Sequence, residues 1–186
     1  MTKNRPSNKS PDSPPLAPKL IEHGFWEIPG LPAPFSGMPY PTTEKIRLIP
    51  FPRYQGIFCL TDEETDYESA PLRQLGRVYL EDLSSGGNPV DRVGEGKLTI
   101  RVIREIVSEI IAGRGVVVHC WGGRGRSGFI AAGVLVAFGR TPEKARSIVN
   151  RATTKAGLGP WPESDWQFKF LSHLPNVELG IQKEVQ

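Results

Sequence analysis

Along the chain the spacing of apolar positions changes several times, and each change marks an element. Gln55–Leu60 (QGIFCL) is a short apolar run that gives way to the polar TDEETDYES, which predicts a buried strand entering a loop. Arg77–Asp82 (RVYLED) predicts a second strand. Beyond the glycine-rich SSGGNPVDRVGEG, Val102, Ile103, Ile106, Val107, Ile110 and Ile111 recur at helical spacing and predict one apolar face of a helix that ends near Gly113. Gly115–His119 (GVVVH) has the unbroken apolar character of a central strand covered on both faces. Gly128–Phe138 (GFIAAGVLVAF) has helical length and few charges, and predicts a buried helix packed on the sheet. Thr141 as N-cap and Pro142 at the first helical position open another helix, with Ala145, Ile148, Val149 and Ala152 on one side. A further helix begins around Pro162 and runs through WPESDWQFKFLSHL. Upstream, GFWEIPGLPAPFSGMPYP supplies short strands and turns, with Pro29-Gly30 and Gly37 as breakers and Trp26 and Phe35 in the core. Strands alternating with helices predict an α/β fold, a central, mostly parallel sheet flanked by helices.

Composition narrows this to one domain. A chain of 186 residues that is 38% hydrophobic and 23% charged can bury a sizeable core and is too apolar to stay unfolded throughout. Of the 18 prolines, 12 fall in the first 52 residues, and the opening KNRPSNKSPDSPPLAPK has no apolar period. Residues 1–19 are therefore expected to be a flexible Pro/Ser-rich tail, residues 20–176 the folded domain and residues 177–186 a C-terminal tail. Cys59 and Cys120 cannot build a disulfide framework, and MTKNRPSNKS lacks the apolar core of a secretory signal, so a reducing, cytoplasmic setting is expected. No run approaches the roughly 18 apolar residues needed to cross a bilayer, so no membrane insertion is expected. The net charge of +3 offers no general polyanion surface. A monomer with no stable nucleic-acid partner is expected, and any anion site must be local. His23, His119 and His173 have no ligand-like spacing to Cys or acidic residues, so no metal is expected.

Chemistry concentrates in one segment, Val118-His119-Cys120-Trp121-Gly122-Gly123-Arg124-Gly125-Arg126-Ser127-Gly128, between the apolar strand and the apolar helix. The glycines let successive backbone N–H groups turn inward, and the following helix adds its positive end, which together make an anion cradle. There is no GK[ST] as in a nucleotide-binding loop, and the segment opens instead with a cysteine. The same electropositive surroundings favour its thiolate.

HCWGGRGRSG resembles the His-Cys, five residues, Arg, Ser/Thr motif of the cysteine-dependent protein tyrosine and dual-specificity phosphatases. That resemblance implies the compact phosphatase fold of the dual-specificity type, no cofactor, and phosphorylated protein as substrate. It implies Cys120 as nucleophile forming a phosphocysteine, Arg126 holding two phosphoryl oxygens with its planar fork, Ser127 assisting the departing thiolate, and His119 orienting the cysteine loop. Trp121, Gly122, Gly123, Arg124 and Gly125 would line the phosphate. FWEIPGLPAPFSG, FCLTDEE and WPESDWQFKFL also resemble segments of compact bacterial phosphatases, so the likeness covers most of residues 24–174.

The resemblance also implies an aspartic acid on an earlier loop as general acid. Asp82 has the better local context, followed by Leu83 at the end of a predicted strand, but lies 38 residues before Cys120; Asp91 lies 29 before it, nearer the usual separation. Asp82 is favoured, with Asp91 then a solvated loop residue or a helix N-terminal charge. Gln167 would position water, make a loop contact or pack its helix. Arg124 either faces the cleft and favours phosphoinositides or a nucleic-acid 5′ end, or points outward as a solvated cation. Cys59 is either a core residue or a partner for Cys120 on oxidation. A phosphate-binding module without catalysis is the alternative outside enzymes.

Overall fold

The computed structural model describes residues 18–61 and 64–174. Its sheet has five strands in the order β1-β2-β5-β3-β4: β1 (Trp26–Ile28), β2 (Phe35–Met38), β3 (Gly56–Cys59), β4 (Arg73–Arg77) and β5 (Val116–His119). Only β1 and β2 run antiparallel; β2 with β5, β5 with β3, and β3 with β4 are parallel. The strand that leads into the glycine-rich loop, β5, is thus central, and all four of its residues are buried.

The two faces of the sheet follow from alternation along β5. Val116 and Val118 point into the larger core with α3 (Arg92–Ile111), α4 (Gly125–Ala137), α5 (Pro142–Lys155) and α6 (Asp165–His173), while Val117 points into a smaller one. Leu20 of α1 (Pro18–Glu22) and Ile46 of α2 (Thr43–Arg47) fill that second cluster with Phe25, Met38, Tyr54 and Ile57. Burying each such side chain contributes about 1.5–3 kcal/mol, so both helical layers hold the central strand.

The strand expected at Arg77–Asp82 lies upstream, at Arg73–Arg77. This edge strand is mostly polar and half exposed, so it carries little apolar signal. The apolar Val78 and Leu80 follow it and still donate backbone hydrogen bonds to Cys59 and Leu60, which carries the extended chain toward Asp82. Helix α3 begins ten residues before the expected apolar face, because the Asp91 side chain caps it through the Val93 and Gly94 amides and its first turns bury Glu95, Gly96 and Thr99. Helix α4 begins at Gly125 instead of Gly128, so Arg126 and Ser127 belong to its first turn. Thr141 and Pro142 open α5 as expected. Pro18 and Lys19, assigned to the flexible tail, instead open α1; the rest of that tail and residues 177–186 lie outside the described residues.

Candidate active site

The cradle forms where β5 runs into α4, at the C-terminal edge of a parallel sheet. Its geometry is set by the N-terminal hairpin as much as by its own glycines. Gly123 adopts φ +70°, and a Cβ there would lie 2.3 Å from the Pro39 nitrogen and 2.5 Å from the Met38 carbonyl carbon, so only glycine permits this approach. The Trp26 indole donates to the Gly123 carbonyl at 2.8 Å and the Tyr40 amide donates to the Trp121 carbonyl at 3.0 Å. The half-exposed Trp121 stacks on Tyr40 with ring centroids 4.7 Å apart, while Gly122 has open space around it.

Cys120 is buried at the start of the loop. Before it, His119 is fully buried and shares a 2.6 Å hydrogen bond with the Tyr67 hydroxyl. Burial pushes the imidazole down to about 4, the nearby Arg126 charge adds to this, and a hydrogen bond with the Cys120 backbone opposes it, so His119 is neutral at physiological pH. The Ser127 hydroxyl is buried without a hydrogen-bond partner, beside a loop that would receive an anion.

The guanidinium of Arg126 is almost entirely buried and is held by Leu80 and Asp82. Nη1 donates to the Leu80 carbonyl at 3.3 Å and Nη2 to Asp82 Oδ2 at 2.9 Å. Asp82 Oδ1 accepts from the Ser84 amide at 2.9 Å. Burial pushes the Asp82 carboxyl up, but the Ser84 hydrogen bonds and Arg126 outweigh it and hold it below the usual range. Asp91, its rival in the sequence, is occupied in capping α3.

Three residues that sequence patterns did not single out complete the surroundings. Tyr67 holds His119, and Glu95 accepts from the Glu81 amide at 3.1 Å, fixing the residue next to Asp82. Burial pushes the Glu95 carboxyl up to about 7; Glu81 and Asp91 add to the rise, while the Glu81 amide and Arg126 counter it. Glu163 pairs with Arg124, whose Nε and Nη2 donate to Oε1 at 2.9 and 2.7 Å and whose Nη1 reaches the Leu158 carbonyl at 3.3 Å. Gln167 is buried in α6, and its Oε1 accepts from the Glu163 amide at 3.0 Å, so it makes a loop contact. Cys59 is buried in β3 with its thiol 3.1 Å from the Thr61 hydroxyl. Among the described residues no cluster of three or more His, Cys, Asp or Glu could hold a metal ion, and no helix is long and apolar enough to cross a membrane.

No protein-family model and no curated protein sequence matches the chain. Solved structures do. PTPMT1 is 16% identical with a TM-score of 0.60, the match covering 83% of this chain and 96% of that one. Tk-PTP in its active form is 19% identical with a TM-score of 0.59, covering 82% and 97%. P. aeruginosa TpbA is 15% identical with a TM-score of 0.54, covering 81% and 94%. The chain has the fold of the cysteine-dependent protein tyrosine and dual-specificity phosphatases.

Proposed function

We propose that the protein is a metal-independent phosphomonoester hydrolase that works through a phosphocysteine, with tyrosine-phosphorylated or mixed tyrosine- and serine/threonine-phosphorylated protein as substrate. The observation that carries this reading is the contact between Asp82 and Arg126, which brings a distant carboxyl to the loop that holds the cysteine. P. aeruginosa TpbA has been solved with pTyr and PTPMT1 with PI(5)P. Of the two, the protein reading fits this chain better, because Arg124 is engaged by Glu163 and supplies no spare charge for a second phosphate.

In the first step the Cys120 thiolate attacks phosphorus, the bond to the leaving oxygen breaks, and Asp82 gives that oxygen its proton. Arg126 and the loop amides bind the equatorial oxygens, where charge accumulates. An incoming phosphoryl dianion takes the guanidinium from Asp82, which removes one influence holding that carboxyl low and brings negative charge beside it. Both changes raise the Asp82 carboxyl toward its protonated, donating form. In the second step the carboxylate accepts a proton from water as water attacks phosphorus, and the thiolate leaves toward the unpartnered Ser127 hydroxyl. Neutral His119, braced by Tyr67, fixes the start of the loop.

The test is hydrolysis of an aryl phosphate in the presence of a chelator. Cys120→Ser should abolish turnover, Asp82→Ala should lower kcat by about 10²–10⁴-fold, and Asp91→Ala should lower it far less. Undiminished turnover by Cys120→Ser, or a larger loss from Asp91→Ala than from Asp82→Ala, would sink the mechanism. Phosphate binding without turnover by the native chain would assign it to the binding modules.

A further inference from the structure

The phosphate loop carries two arginines, yet only one of them is available to a ligand. Arg126 meets Asp82 through a carboxylate that is about half exposed and can be displaced. Arg124 is committed differently: two of its nitrogens bind one oxygen of Glu163, whose side chain is only 12% exposed, and the third binds a backbone carbonyl. We propose that Glu163 is a specificity-determining residue that cancels the charge of Arg124 and so restricts the cradle to substrates carrying a single phosphate, discriminating against polyphosphorylated headgroups. This rests on reading residues 120–126 as the phosphate cradle.

Glu163 is held in place from several sides. Its amide is bound by the buried Gln167, the next residue, Ser164, caps α6, and the buried Trp161 two residues earlier donates its amide to Asn150 at 2.6 Å. Its carboxylate also lies directly against the loop. A Cβ at Gly125 would fall 1.5 Å from Glu163 Oε2, so the first residue of α4 is glycine where the acid rests on it.

A carboxylate pressed against an anion cradle is unfavourable for any phosphate unless it is compensated, and Arg124 compensates it. The pair is neutral toward one phosphate. Toward a ligand with further phosphates it withholds a cation that would otherwise lie beside the cradle, and it adds a repelling oxygen. Between charges several ångströms apart at a partly exposed site such a difference amounts to about five- to tenfold in affinity.

The experiment is a charge cycle of the native chain, Glu163→Gln, Arg124→Gln and the double variant. It reads the ratio of kcat/KM for inositol 1,4,5-trisphosphate to that for inositol 1-phosphate. Calorimetry on the same four proteins carrying Cys120→Ser gives the matching ratio of affinities, and thermal unfolding checks each fold. Glu163→Gln should raise both ratios about five- to tenfold, and adding Arg124→Gln should return them to the starting value. Unchanged ratios in a folded Glu163→Gln protein overturn the proposal. So does a raised ratio that persists in the double variant, because Arg124 would then not be the cation released. If the native chain turns over neither inositol phosphate, the affinity ratio still decides, which separates this inference from the catalytic reading. Failure of the Cys120→Ser proteins to bind either compound would remove the cradle, and the proposal with it.

Discussion

Replacing Glu95 by glutamine should uncover a dependence of stability on pH that the native protein conceals. Glu95 and His119 are both buried, and their titrations are displaced in opposite directions. The Glu95 carboxyl stays protonated in the fold up to about 7, while the unfolded chain releases that proton near 4.5. Its contribution to stability is complete below 4.5 and is lost as pH rises through 7. His119 stays neutral in the fold down to about 4, while the unfolded chain takes up a proton near 6.5. Its contribution is complete above 6.5 and is lost as pH falls through 4. Between pH 4.5 and 6.5 the two slopes oppose. At about 1.4 kcal/mol per pH unit, each amounts to at most ~3 kcal/mol across that window. The native protein should therefore hold a stability constant to within ~1 kcal/mol there, whereas Glu95→Gln should gain about 2–3 kcal/mol on going from pH 4.5 to 6.5. The amide oxygen of glutamine can still accept from the Glu81 amide, so the loop contact survives the change. Urea unfolding followed by tryptophan fluorescence at half-unit steps of pH measures this directly. A Glu95→Gln profile as flat as that of the parent, or one that falls with pH, would refute the reasoning.

Two further outcomes follow from the contacts of the loop. In a Cys120→Ser background, Asp82→Asn should tighten inorganic phosphate about threefold by calorimetry. A carboxylate half exposed to water competes for Arg126 with at most ~1 kcal/mol, and weaker binding would contradict the displacement step. Gly123→Ala should cost at least ~1–2 kcal/mol for the left-handed backbone alone, with phosphate binding lost beyond what unfolding explains, because the added carbon meets the Met38–Pro39 backbone. Chemical denaturation and phosphate titration of the same variant separate the two effects.

The parts of the fold legible in the sequence are those governed by short-range chemistry. Gly115–His119 followed by a glycine-rich loop and an apolar helix announces a strand, a cradle and a buried helix, and Thr141-Pro142 announces a helix start, because these signals lie within a few neighbouring residues. The apolar pattern puts β4 a few residues too late, because its edge position leaves RQLGR polar while the apolar Val78 and Leu80 just beyond its end are buried. The opening of α3 carries two glycines and little periodicity; its order depends on the Asp91 cap and on Gly96 fitting against Phe170. Tyr67, Glu95 and Glu163 were invisible for the same physical reason. Each acts on a group more than a dozen residues away in the chain, and the spacing of its neighbours does not encode which group it meets.

The position of β5 between β2 and β3 bears on how the protein is synthesised. β2 and β3 do not pair with each other, so a nascent chain that has emerged only as far as residue 115 holds two separate strand edges with nothing between them. The sheet closes only when Val116–His119 inserts, and the next residue out is Cys120. During translation the Cys120 thiol therefore arrives together with the strand that completes its own scaffold, and a chain released before that point carries exposed edges but no cysteine at the loop.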